Sequence, residues 1–419
     1  MNRIGNRGFT LIEMIVSMAL FIGIVLVTSS AFNTILSQSS SVQRREESNI
    51  EGVVGLEMLR HDLQQAGVGL FTAPPPISYS EASVQPASTY NDATNHVPRP
   101  IVAGNDLVTA TVGDISDDGS VVYNVLNLTD YLSIKATTVG TSNTSQKWTY
   151  IVPVAGGAAP YTWTSNAENF TDSKERFVVL RRGFSNPPTT TIERNTSDDT
   201  LWFKINSPAF DVYTSQANAI YTAYGFYKFS GTADENKVRF PFNRADYFVA
   251  KPKDAAKVPP MCAPNTGVLY KTTVKHADGK LTYMPILDCV ADMQVVLGWD
   301  MDNNGSVDTW SNADGSTVSG SGDVATAILQ ASNDDITISN IRNRLKVVKV
   351  YIIAQNGKKD SGYTSDYEIT IGDDGEKSLI HNTGSNATKA AYALAANMRN
   401  YRWKEYRIIV RPKNLLTNQ

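Results

Sequence analysis

The chain has 419 residues, enough for two or three domains, with 19% charged and 42% apolar residues, an ordinary balance for a globular protein. A net charge of −3 argues neither for nucleic acid nor for an anionic membrane surface as the main partner. Its two cysteines, Cys262 and Cys289, suit one disulfide in an exported domain, or two buried thiols in a cytosolic one.

The N-terminal segment decides how the rest is read. Residues 14–27, "MIVSMALFIGIVLV", are nearly unbroken apolar. Alone they are short for a membrane span and about right for a signal-peptide core. With "FTLIE" in front they reach roughly 19 residues, enough to cross a bilayer as a helix. Arg3 and Arg7 precede the run, so the positive-inside rule leaves the N-terminus in the cytoplasm. Three readings compete: a cleaved secretory signal ending near "SSA" at 29–31, a plain anchor, and a processed, retained helix. Glu13 separates them, because a carboxylate in a membrane helix costs about 2.5–3.5 kcal/mol and needs a reason.

"RGFTLIEMIVSMAL" resembles the type IV pilin leader: Gly8, Phe9, "TLIE", then an apolar helix. The resemblance implies cleavage after Gly8 by a prepilin peptidase, methylation of the new N-terminal Phe9, and retention of the apolar segment. After such cleavage Phe9 carries an ammonium one helical turn before Glu13, on the same face. The resemblance further implies that Glu13 pairs with the terminal ammonium of a neighbouring subunit and sets the axial stagger.

Past the apolar run, Phe32, Ile35, Val42, Ile50, Val53, Leu56, Leu59 and Leu63 recur near helical spacing. No proline intervenes before "PPP" at 74–76, and Gly67 and Gly69 give a stop. The expectation is one helix over 9–66, on the order of 85 Å long. Residues 9–29 would lie in membrane or fibre core, and the second half would lay its stripe on a head spanning 72–419. Residues 1–8 form the leader.

Residues 72–100, rich in Pro, Ser, Ala and Asn, read as a long surface loop. Strand patterns follow: "DLVTATV", "YLSIKATT", "KWTYIVPV", "RFVVLRRGF", "LWFKI", "AIYTAYGFYKFS" and "VRFPFNRADYFVAK". Later come "GVLYKTTVKH", "KLTYMPIL", "MQVVLGWDMD", "LKVVKVYIIAQ", "YEITIG" and "YRIIVRP", with a D-G hairpin turn in "KHADGKLTY". Only "NATKAAYALAANMRN" (386–400) and "DVATAILQAS" read as later helices. The fold class is α+β, a pilin-like long helix on a large antiparallel β-rich head, with an inserted subdomain expected near 130–245.

No enzyme constellation is visible. His61, His96, His276 and His381 are scattered, and there is no H-E-x-x-H, phosphate-binding glycine loop or G-x-S-x-G. One stretch stands out: "WDMDNNGSVDTW" sets Asp300, Asp302, Asn304, Gly305 and Asp308 in the pattern D-x-D-x-N-G-x-x-D. In calcium loops, oxygens at positions 1, 3 and 5 converge, Gly at 6 allows the turn, and position 7, here Ser306, offers its carbonyl. Position 12 is Ser311 rather than a bidentate Glu, so the stretch is no EF-hand. The competing reading is an N-G hairpin turn between two strands. Cys262 and Cys289 flank the "GVLYKTTVKHADGKLTYMPIL" hairpin, and a bridge there would close its base. The basic segment Arg402, Lys404, Arg407, Arg411 and Lys413 could touch an acidic partner or DNA, and the simpler reading is an edge strand guarded by charge.

"LEMLRHDLQQAGVGLF", "LDCVADMQVVLGWDMDNNGSVDTW", "IRNRLKVVKVYIIAQ" and "YRWKEYRIIVRPKNL" resemble the PilW family of minor pilins, whose last strand ends in R-x-x-N. Here that ending is Arg411 to Asn414, with Pro412 intruding. The resemblance covers the first 70 residues and much of the last 160, roughly, and leaves the middle unmatched. It implies a non-enzymatic minor pilin of a type IV pilus, acting in priming or at the fibre tip. Its partners would be other minor and major pilins, the prepilin peptidase, and the inner membrane with its assembly machinery. The head would be periplasmic and then displayed on the fibre. Two alternatives are the minor pseudopilin J of a type II secretion system and an adhesin or ligand-binding head carried on a pilin stalk.

Overall fold

The computed structural model describes residues 10–92, 94–113, 115–116, 122–154, 157–184, 189–196, 198–205, 219–229, 238–254, 259–316, 318–320, 342–380 and 390–415. Gly8, Phe9, His381 and the expected helix "DVATAILQAS" lie outside them.

Helix α1 runs Leu11–Gln65, 55 residues without a break. At 1.5 Å per residue it is about 82 Å long. Its apolar part, Leu11–Phe32, has a mean hydropathy of 2.5 and none of it is buried. At the other end Ala66 leaves helical geometry and Gly67 takes a φ of +87°, which frees its N–H to donate to the Lys135 carbonyl at 2.9 Å.

The strands are β1 (Ile101–Leu107), β2 (Ile115–Ser116), β3 (Val122–Val125), β4 (Thr129–Ala136), β5 (Trp148–Val154), β6 (Gly157–Pro160), β7 (Glu175–Gly183), β8 (Thr190–Ile192) and β9 (Ala219–Lys228). They continue as β10 (Asn243–Pro252), β11 (Gly267–Val274), β12 (Leu281–Trp299), β13 (Thr309–Ser311), β14 (Val318–Gly320), β15 (Leu345–Gln355), β16 (Glu368–Ile371), β17 (Ala390–Ala393) and β18 (Trp403–Val410). An 11-stranded antiparallel sheet carries the path β1-β4-β10-β11-β12-β13-β14, with β15 and β18 branching from β12. A five-stranded sheet, β6-β5-β9-β7-β8, lies wholly within 148–228, and β16 and β17 form a separate pair. The strands bracketing the second sheet, β4 and β10, belong to the large one.

The large sheet is covered on both faces. On one, Leu56, Leu59 and Leu63 of α1 pack on Leu132, Ile134, Ala245, Tyr247 and Leu269. Among the described side chains that packing begins at Gly52, later than the stripe suggests: Phe32, Ile35 and Val53 are exposed. On the other face Tyr131, Phe248 and Tyr270 meet Phe71 and Tyr79, together with Val178, Leu180 and Phe226 of the second sheet.

Several expectations need correcting. Residues 72–100 are no mere surface loop: Tyr79, Glu81, Ala87, Asp92 and Val97 are buried. "DLVTATV" divides into the end of β1 and a helical turn, α2 (Thr109–Val112), because Asp106 adopts a left-handed φ of +49°. "LWFKI" contributes only an isolated bridge, Phe203 to Phe177. "KLTYMPIL" and "MQVVLGWDMD" are one strand, the 19-residue β12. The helix expected over 386–400 is, from 390, strand β17 and a 3₁₀ turn at Ala396–Met398. There pairing with β16 and burial of Leu394 and Met398 outweigh the helix preference of the alanines.

Two glycines let α1 approach β12. A Cβ on Gly55 would overlap the Ile286 carbonyl, and one on Gly52 would lie 2.9 Å from the Leu287 methyl. Deeper along the helix, buried Asp62 accepts from the Tyr247 hydroxyl at 2.6 Å and pairs with Lys271. Gly55→Ala should therefore lower the melting temperature of the full chain in detergent, at a cost of about 1–3 kcal/mol. Gly52→Ala should cost less, since a leucine side chain yields and a strand carbonyl does not. Equal shifts for the two variants would contradict this seat.

Candidate functional site

The N-terminal site is built by the first turn of α1. Thr10 is the N-cap, and Glu13 three residues on completes a capping box. The Thr10 N–H and hydroxyl both donate to Glu13 Oε2, each at 2.9 Å, and the Glu13 N–H donates to the Thr10 hydroxyl at 3.4 Å. Glu13 is thus satisfied locally as well as being one turn from position 9. Thr10 is the residue that attention to Gly8, Phe9 and Glu13 passes over, although T-x-x-E in "FTLIE" is a readable cap. From Leu11 onward every described side chain to Phe32 is exposed, so the carboxylate sits on an otherwise apolar rod.

The acidic loop joins β12 to β13, which pair through Trp299 and Thr309. It is a nine-residue connection rather than a two-residue N-G turn, with left-handed φ values at Asn303 (+59°) and Gly305 (+90°). Carboxylate oxygens of Asp300, Asp302 and Asp308 lie within 4.8 Å of one another. The loop's own amides hold them. Asp300 accepts from the N–H of Asn304 (3.0 Å) and Gly305 (2.9 Å). Asp308 accepts from Met301 (2.9 Å), Asp302 (3.3 Å) and the Thr309 hydroxyl (2.6 Å). Asn304 Oδ1 accepts from the Ser306 N–H at 2.8 Å. Burial of Asp300 alone would raise its pKa, but the Gly305 and Asn304 amides and Lys346, 3.5 Å away, hold it below the ordinary carboxylate value. Asp308 is likewise held down, against burial, by the Thr309 hydroxyl and the Asp302 and Met301 amides. Both carboxylates therefore favour the folded loop above the acid range, and that contribution fades as pH falls through their lowered pKa values. Carboxylate oxygens that accept one amide keep lone pairs for a hard cation. Lys346 competes for that role, and its distance along the chain gave no local sign of it.

The other expected positions fall apart. Cys262 and Cys289 are disulfide-bonded, with Cα atoms 4.9 Å apart, closing the base of the β11–β12 hairpin. The hairpin turns at Gly279, with Lys275 donating to the Lys280 carbonyl at 2.8 Å. His61 lies beside Asp62, whose carboxylate raises its pKa. His276 is buried against Phe226, Tyr227 and Phe240, and burial pushes it down to about 3. Two further acids, Asp130 and Asp292, lie buried in the large sheet; burial pushes Asp292 up to about 7 and Asp130 well above the ordinary range. The R-x-x-N ending forms a turn at Lys413–Leu415, with Leu415 buried in the core beneath α1.

Two family models match the chain. Residues 3–27 match the prokaryotic N-terminal methylation motif, and residues 246–409 match the type IV pilus-assembly protein W. The second match takes in the disulfide hairpin's long strand, the acidic loop, β15 and most of β18, and stops short of the second sheet. No curated protein and no solved structure matches the chain. The methylation motif covers the start of the exposed apolar helix, the other match takes in part of the sheet on which that helix is seated, and over those residues the chain is similar to type IV pilin-like proteins of the PilW family.

Proposed function

We propose that this pilin-like subunit acts in priming pilus assembly or at the fibre tip, in contact with other minor and major pilins. The observation that carries the reading is the continuity of α1, from an exposed apolar span holding one carboxylate to a seat on the head. The head's bulk, with a second sheet beyond the family match, fits a fibre end, where neighbours are missing on one side. In this reading the helix first crosses the inner membrane with Arg3 and Arg7 on the cytoplasmic side. The prepilin peptidase cuts after Gly8 and methylates Phe9. Mass spectrometry of the N-terminal peptide should then begin at N-methylated Phe9; an intact N-terminus, or one near Phe32, would overturn the processing step. Pilins that co-purify in detergent separate a pilus subunit from a secretion pseudopilin.

The acidic loop we read as a calcium site, with Asp300, Asp302, Asn304, the Ser306 carbonyl and Asp308 as ligands. All are hard oxygens, and crowding of three carboxylates within 4.8 Å is relieved by a divalent cation. Lacking the bidentate Glu, the site should be weak, on the order of 10⁻⁴–10⁻³ M. At twice the dissociation constant calcium would stabilise the protein by about 0.6 kcal/mol. Millimolar calcium should raise the melting temperature of the wild type over its chelator control and leave Asp302→Ala unmoved. Equal shifts in both, or none in either, would leave the stretch a hairpin loop only.

A further inference from the structure

The second sheet carries a feature that the pilin role does not use. Trp148 and Tyr150 on β5, with Tyr161 and Trp163 just after β6, form one aromatic cluster. Trp163 lies edge-to-face to Trp148 (5.5 Å) and to Tyr161 (5.2 Å), and Trp148 to Tyr150 (5.4 Å). Large aromatic rings normally hide, yet Trp148, Tyr150 and Tyr161 are 43%, 44% and 47% exposed.

The cluster is held from beneath. The Trp163 indole N–H donates to the Trp148 carbonyl at 3.0 Å. Buried Asn169 brackets the Trp163 backbone, accepting its N–H at 2.7 Å and donating to its carbonyl at 2.9 Å. Lys147 ties the Asn169 carbonyl (2.7 Å) to Glu175 (2.6 Å). The Tyr161 N–H donates to the Tyr150 carbonyl at 2.8 Å. The Trp163 indole fixed this way braces Trp148 and Tyr161 through their ring contacts, which limits the freedom lost when something settles on them.

Register sets what lies alongside. Trp148 faces Tyr224, Tyr150 faces Thr222, and two residues further Ile220 faces Arg182, so all share one face of the sheet; on β7 that face is covered where Val178 and Leu180 enter the core, and it is open along β5 and at the Ile220–Arg182 end. Arg182 is exposed at the end of β7 and, among the described residues, makes no ion pair. It stands two strands from β5, roughly 10 Å across the sheet. The face thus offers a rigid ring platform, hydroxyl groups from Tyr150, Thr222 and Tyr224, and one cation at its margin.

We propose that this face binds an acidic polysaccharide, with pyranose rings stacked on Trp148, Tyr150 and Tyr161 and a uronate carboxylate at Arg182. The apolar C–H face of a pyranose is weakly positive and meets the negative face of an aromatic ring. The hydroxyls satisfy the sugar's rim, and the guanidinium supplies a forked partner for a carboxylate. Charge complementarity favours a uronic-acid polymer over a neutral glucan, and the absence of an exposed carboxylate from this row of paired residues removes repulsion.

The test uses the full chain in detergent micelles, with alginate oligosaccharides as the acidic probe and dextran as the neutral one. Alginate should quench or shift the tryptophan fluorescence. Trp148→Ala and Tyr150→Ala should each weaken binding about tenfold or more, the scale for truncating an aromatic anchor. Arg182→Gln, a surface change that leaves the platform intact, should abolish the preference for alginate over dextran. Three results would overturn the proposal: no alginate binding by wild type, undiminished binding by all three variants, or loss of partner pilins from Trp148→Ala preparations with alginate binding retained. The last would make the face a subunit contact.

Discussion

Helix α1 can approach β12 only because Gly55 puts no side chain against the Ile286 carbonyl, and the rest of the molecule is arranged around that seat. Strand β12 is the longest among the described residues and pairs with β11, β13 and β15, so the helix is fixed to the middle of the sheet. Leu59 and Leu63 then fill the core, and Asp62 takes the Tyr247 hydroxyl and the Lys271 ammonium. Tyr247 and Lys271 are themselves paired across β10 and β11, so one carboxylate binds the helix to two strands. With its C-terminal third fixed, an unbroken helix must carry its apolar N-terminal part away from the head. That part hides no surface of its own. An apolar surface of that length needs cover from lipid or from another apolar surface, and Glu13 is the one acidic side chain along it.

The opposite face is organised by charge. Lys135 and Arg244 stand directly across β4 and β10, an arrangement that repels when nothing intervenes. Glu81 and Asp92, both from the proline-rich stretch, supply the counter-charges. Lys135 reaches Glu81 at 2.8 Å and Asp92 at 2.6 Å, and Arg244 reaches Glu81 at 2.7 Å and Asp246 at 2.9 Å. Burial alone would raise the Asp92 pKa, but the Lys135 and Arg99 charges hold it below the ordinary value. Breaking one member of such a buried set costs about 3–5 kcal/mol, because it strands a charge out of water. The cluster thus holds residues 81–92 on the sheet with no more regular structure there than a 3₁₀ turn at Ala87–Tyr90.

Much of this was written locally. The alternation in "KWTYIVPV" marks a half-buried strand and the β-branched run in "LKVVKVYIIAQ" one buried along its whole length, and Gly67 marks the helix end because only glycine takes its backbone turn cheaply. What stayed hidden depends on partners distant in sequence. Residues 72–100 look like a solvated loop until Lys135 and Arg244 are placed beside Glu81. "NATKAAYALAANMRN" looks helical until Leu394 and Met398 are seen in the core beside β16. The acidic loop's spacing was readable, but Lys346 beside Asp300 was not. At the N-terminus Glu13 stands out as a charge in an apolar run, whereas Thr10, its local partner, carries no charge to mark it.

If this subunit enters a fibre as proposed, the charge on Glu13, rather than its capping hydrogen bonds, would pair with a neighbour's terminal ammonium. Glu13→Gln separates the two, because glutamine serves a capping box as glutamate does but carries no charge. The measurement is the ratio of this protein in sheared fibres to that in the membrane, for wild type and Glu13→Gln. The account predicts an unchanged membrane pool with normal processing, and a fibre fraction reduced severalfold. An unchanged fibre fraction would contradict it.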